Sequence, residues 1–156
     1  MPVTAKTVAT ALGVKGRIVD ATVSRNSSRR VKTLNVASLV RGTQTTTALA
    51  GAATASALGL RSTWFSVGVL SLQPPSPNPA VATGTRIRLT GVARGVRGVV
   101  VEERTSGQPW QPLRSVVPAP KTGAFHFAVR PSATTDYRLA SAQAAAAFVR
   151  IRVQTG

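Results

Sequence analysis

Four carboxylates and one histidine, Asp20, Glu102, Glu103, Asp136 and His126, are all the acid–base chemistry this sequence offers near neutral pH. General acid–base work on one bond needs two titratable groups aimed at the same point. Glu102 and Glu103 adjoin in the run GVVVEER, which reads as a strand, so their side chains point to opposite faces and cannot flank one bond. Of the two, Glu103 falls on the less exposed side. A nucleophilic triad would have to join His126 to Asp136 and a serine. In GAFHFAVR, however, the histidine alternates against Phe125 and Phe127 and belongs on the solvent side. One histidine and no cysteine leave no ligand set for a metal site and no disulfide framework. GVARGVRG, residues 91–98, lacks the GxGxxG spacing and the GK[ST] ending of phosphate loops, and it reads as a hairpin turn with two exposed arginines. The expectation is a chain without catalysis and without a cofactor.

Positive charge is what the sequence has in excess. Twenty Lys and Arg face four acids, for a formal charge of +16 and an isoelectric point near 12.0. Residues 1–72 carry nine basic residues and one acid, and residues 73–156 carry eleven and three, so each part nets +8. Such a field attracts polyanions: nucleic acid, anionic lipid or the acidic polymers of a cell wall. Ordinary solvation of strand faces accounts for the same dispersed pattern. Strand alternation places Arg86, Arg88 and Arg130 on the solvent side of one sheet, and Arg138, Arg150 and Arg152 on that of another. Nucleic-acid binding calls for aromatics interleaved among the cations, and the few aromatics here read as inward. Electrostatic contact with an acidic wall polymer fits that arrangement better than base readout.

The elements that must hold these arginines are short and alternate with period two. TRIRLTGV sets Ile87 and Leu89 against Arg86 and Arg88, TDYRLAS pairs Tyr137 with Leu139, and FVRIRV turns Val149, Ile151 and Val153 inward as one strand. PWQPLRSVV reads as a broken strand, and the alanine run before Phe148 as the connection of the last hairpin. Turn residues at even spacing signal a β-sandwich. LQPPSPNPAVATG, residues 72–84, has four prolines between Pro74 and Pro79, a density that permits only extended linker or edge strand. Upstream, TAKTVATALGV predicts a short helix capped by Thr4 and ended by Gly13. Two strands joined by RNSSR, a third at TTTALAG and a helical turn stopping at Gly59 follow. The fold class expected is mainly β. A partial β-rich unit with short helices (1–68) precedes a Pro-rich linker with a first edge strand (69–84), then an antiparallel β-sandwich (85–154).

The succession VDATVSRNSSRRVKTLNVA and TTTALAGAATASALGLRSTWFSV resembles the C-terminal end of the stage II sporulation protein D and amidase-enhancer domain family. Matching positions are Arg30, Val31, Gly51 and the run Leu58, Gly59, Leu60, Arg61, Ser62, Thr63, with Trp64 and Phe65 completing LGLRSTWF. The turn glycine of that family is Arg29 here, and the arginine ahead of Leu-Gly-Leu is Ala55. The resemblance covers about residues 5–68 and does not include the family's larger upstream portion, which holds the acidic catalytic residue of members that cut peptidoglycan. Residues 80–154 resemble immunoglobulin-like modules appended to secreted bacterial wall proteins, a loose likeness because that fold repeats without shared function.

The resemblance implies a non-catalytic module that binds peptidoglycan or an anionic wall polymer, with a cell-wall amidase as a possible partner and an extracellular or wall-associated location. MPVTAKTVATALGVKGR has no signal-type apolar run, so a true start at Met1 predicts a cytoplasmic chain. The uncharged stretch GTQTTTALAGAATASALGL is too polar for a membrane span. Two alternatives stay open: a fragment of a peptidoglycan-cleaving or amidase-activating enzyme, and a non-specific nucleic-acid binder. GLRSTWFSVG is expected as the closing strand of the first unit, with Trp64 covering the seam to the next.

Overall fold

The computed structural model describes residues 5–154, and the chain divides into two compact units between Val69 and Leu70. It is mainly β, with several antiparallel sheets and two short helices.

In the first unit α1 (Ala5–Ala11) leads into β1 (Arg17–Arg25), β2 (Val31–Val40), β3 (Thr43–Ala50) and α2 (Gly51–Ala57). The three strands form one antiparallel sheet in the order β1-β2-β3. Period-two alternation in β2 turns Leu34, Val36 and Ser38 to the buried side, and Leu34 and Val36 pack with Val14, Ile18, Val23, Leu49 and Val67. The β2–β3 connection is Arg41-Gly42, with φ of 50° and 85°. Two positive φ values in a two-residue loop match the right-handed twist of the strands they join. Gly13 and Gly59, at φ of 64° and 63°, lie just beyond the two helices, where a left-handed residue lets the chain leave. The expected Thr4 cap lies outside the described residues.

Residues 59–68 do not form the expected strand. They run as irregular chain tied by single bonds: Val31 N donates to the Thr63 carbonyl at 2.9 Å, and Arg25 Nη2 to the Phe65 carbonyl at 2.8 Å. Small residues around Gly59 and the turn-forming Ser62, whose Oγ accepts from Trp64 N at 2.8 Å, break the extension a ladder needs.

The second unit contains β4 (Val69–Gln73), β5 (Val81–Ala82), β6 (Ile87–Arg94), β7 (Val100–Thr105), β8 (Gln111–Ser115), β9 (Ala124–Val129), β10 (Thr135–Ala140), β11 (Val149–Ile151) and β12 (Val153–Gln154). A three-stranded sheet, β4-β6-β9, and a four-stranded sheet, β11-β10-β7-β8, share one core in a sandwich-like arrangement. Leu72, Leu89 and Phe127 enter it from the first sheet, and Val101, Tyr137, Leu139 and Ile151 from the second. At Gly91 a β-carbon would stand 2.5 Å from the Ser71 carbonyl and 2.6 Å from the Phe125 ring, so only glycine lets these strands approach.

The stretch read as a Pro-rich linker with a first edge strand contributes two strands, β4, whose Leu72 is fully buried, and β5, with residues 74–80 as loop between them. One expectation needs correction. FVRIRV is not one strand: β11 ends at Ile151, and β12 leaves it to pair in parallel with β5, Val153 opposite Val81.

Candidate polyanion-binding faces

On β6 the pattern is strict: Ile87 and Leu89 are buried while Arg88 and Thr90 are exposed. Register with β9 sets Arg88 opposite Ala128 and Thr90 opposite His126, both exposed. Arg86 and Arg130 flank the same pair of strands one residue beyond the Ile87–Val129 pairing and are exposed too. The structure thus brings Arg86, Arg88 and Arg130 together on one face, with none of them in an ion pair. Ala128 between them is too small to cover a guanidinium, so these cations meet water.

The outer face of the other sheet is built differently. Asp136 on β10 lies between Arg104 on β7 and Arg150 on β11, each directly opposite it in register. Arg150 donates from Nε to Oδ1 at 2.7 Å and from Nη2 to Oδ2 at 3.0 Å, and Arg104 Nε reaches Oδ2 at 3.3 Å. The Arg150 hydrogen bonds hold the Asp136 carboxyl below its usual range, overcoming burial, which pushes the other way; the same pairing raises Arg150. One row along, Arg138 Nε donates to Glu102 Oε2 at 2.7 Å.

Two aromatics cap these rows. The guanidinium carbons of Arg138 and Arg104 lie 4.1 and 4.5 Å from the Trp110 ring centre, and those of Arg104 and Arg150 lie 5.5 Å from that of Phe148. The two rings are 6.4 Å apart. These distances are in the range of cation–π attraction. Sequence reasoning turned the aromatics inward and missed Trp110 and Phe148. Phe148 shares the parity of Arg150 and Arg152, a signal present in FVRIRV, whereas Trp110 stands between two prolines where alternation gives no guide.

Arg138 and Arg150 therefore share a face as expected, but each is held by a carboxylate and an aromatic ring. Arg152 does not join them. It sits at the break between β11 and β12 and donates from Nη2 to the Asn78 carbonyl at 3.3 Å.

His126 and Asp136 stand on different sheets, and both Asp136 oxygens are taken by arginines. Glu102 faces outward with Arg138, while Glu103 pairs in register with Tyr137 on the core side. Burial, with the Glu103 charge adding to it, pushes the Tyr137 phenol up to about 12. Among the described residues no three His, Asp or Glu side chains gather as a metal site would require.

In the first unit Leu58, Leu60 and Phe65 of LGLRSTWF line an apolar pocket of about 510 Å³ together with Val8, Leu34 and Val36. Gly59 provides the turn, Thr63 the carbonyl that binds β2, and Arg61 and Ser62 are exposed. Trp64, expected to cover the seam to the next unit, is 64% exposed.

No family model, no curated protein and no solved structure matches the chain. No helix among the described residues is long and apolar enough to cross a membrane.

Proposed function

We propose that this chain is a non-catalytic module that binds an acidic polymer of the bacterial cell wall, peptidoglycan or an anionic polymer attached to it, outside the cytoplasm. The observation that carries the reading is the exposed set Arg86, Arg88 and Arg130 on the β6–β9 face, three cations with no carboxylate partner on a chain of net charge +16. A polymer with regularly spaced anions can contact them by charge alone, without a shaped pocket. The likeness of LGLRSTWF to the sporulation protein D and amidase-enhancer family supports the same reading. So does the strand order of the second unit, three strands packed on four, which suits an immunoglobulin-like module.

The test is sedimentation with purified peptidoglycan sacculi over a salt series. Retention is expected at low salt and should fall as salt rises. The triple variant Arg86→Gln, Arg88→Gln, Arg130→Gln should lose most of it, and partition of the unaltered chain into the supernatant at low salt would sink the reading.

One observation favours a second reading. Trp110 and Phe148 interleave with Arg104, Arg138 and Arg150 on an outer face, the combination by which single-stranded nucleic acid is held through stacking and charge. On this reading an oligonucleotide competes the chain off sacculi, and Trp110→Ala weakens that competition while leaving sacculus retention unchanged.

A further inference from the structure

The two sheets of the second unit end in strands that each have one neighbour, β8 in one and β9 in the other. Between these edges the sandwich opens into a groove of about 500 Å³ lined by Glu103, Leu113, Arg114, Ala128, Val129 and Arg130. Arg114 also borders a smaller hollow of about 120 Å³ reaching His126 and Phe127, so the opening continues along both strands. Arg114 lies opposite Val101 in register and Glu103 opposite Tyr137, and both of those partners point into the core. Arg114 and Glu103 are therefore core-side residues that the missing neighbour strand leaves facing the groove.

Glu103 is half-buried, and neither it, Arg114 nor Arg130 makes an ion pair or side-chain hydrogen bond. A carboxylate partly withdrawn from water in so cationic a chain is a site with its counter-charge left open. Two guanidiniums and one carboxylate around an aliphatic floor are complementary to a small molecule carrying both charges. The volume falls within the range of small-ligand pockets. Guanidinium matches a carboxylate in two parallel hydrogen bonds, and carboxylate accepts from ammonium. The exposed edges of β8 and β9 add backbone donors and acceptors for an extended chain.

We propose that this groove binds the free ends of a short peptide, its terminal carboxylate on Arg114 and Arg130 and its ammonium on Glu103. The inference goes beyond polymer binding at the β6–β9 face: it shares Arg130 with that face but rests on Glu103 and Arg114, which the polymer reading does not use.

The experiment titrates the full ¹⁵N-labelled chain with alanyl-alanine, N-acetyl-alanyl-alanine and alanyl-alaninamide, following amide signals of residues 111–115 and 124–130. Free alanyl-alanine should give saturable shifts with millimolar affinity, and each blocked form should bind about tenfold more weakly. In Glu103→Gln the acetylated and free peptides should bind equally, and in Arg114→Gln the free peptide and its amide should. Equal affinity of the unaltered chain for free and blocked peptides, or no saturable shift in these two strands, would overturn the proposal. That comparison holds whether or not either variant folds.

Discussion

At the scale of single residues, Asp136 joins three strands, its own β10 to β7 and β11. It is 5% exposed and takes hydrogen bonds from two arginines on the strands at either side. Asp136→Asn removes the charge that neutralises them, and the expected loss is about 2 kcal/mol, measured by urea unfolding at neutral pH. The pH dependence has a definite sign. Because the native carboxyl is held below its unfolded value, its contribution is complete above the ordinary aspartate range near about 4 and is lost as pH falls through the lower native value. The gap between wild type and Asp136→Asn should therefore be constant near neutrality and close on acidification; a gap that widened would contradict the assignment. Little of this was legible in the sequence. Period two places Asp136, Arg138 and Arg150 on one face, but which carboxylate meets which arginine depends on cross-strand register, and register is a property of pairing rather than of either strand alone.

Among the elements, the strands with strict alternation were the readable ones. TRIRLTGV and GAFHFAVR appear as β6 and β9 with the expected faces, because one buried side fixes both their conformation and their register. β5 and β12 have two residues each, too few for any period, and the proline cluster concealed the short β4 ahead of it. The β1–β2 turn shows a rule obeyed in geometry and broken in residue type. Arg29 adopts φ of 59°, a left-handed conformation that glycine reaches without strain, and its backbone N donates to the Asn26 carbonyl at 2.9 Å. Arg29→Gly should stabilise the chain by about 0.5–1 kcal/mol, read as a rise in the thermal midpoint. A drop would mean that the hydrogen bonds fixed by this turn depend on the arginine.

For the molecule as a whole, charge acts on folding and binding with opposite signs. A net charge of +16 repels itself in the compact state, so screening it should raise stability. Between about 10 mM and about 200 mM sodium chloride the thermal midpoint is expected to climb by a few degrees while sacculus retention falls. A midpoint that fell with salt would show that attractive pairs such as Arg150–Asp136 outweigh the repulsion. The parallel pairing of β12 with β5 bears on a different property, the response of the second unit to tension. Val81 N donates to the Arg152 carbonyl at 2.9 Å, Val153 N to Thr134 Oγ1 at 3.0 Å, and Asn78 Nδ2 to the Arg150 carbonyl at 3.0 Å. Because β5 and β12 run in the same direction, tension drawn toward the start of β5 and the end of β12 slides one strand along the other. Their hydrogen bonds are then loaded together in shear instead of being peeled open one at a time, a geometry that resists stretching.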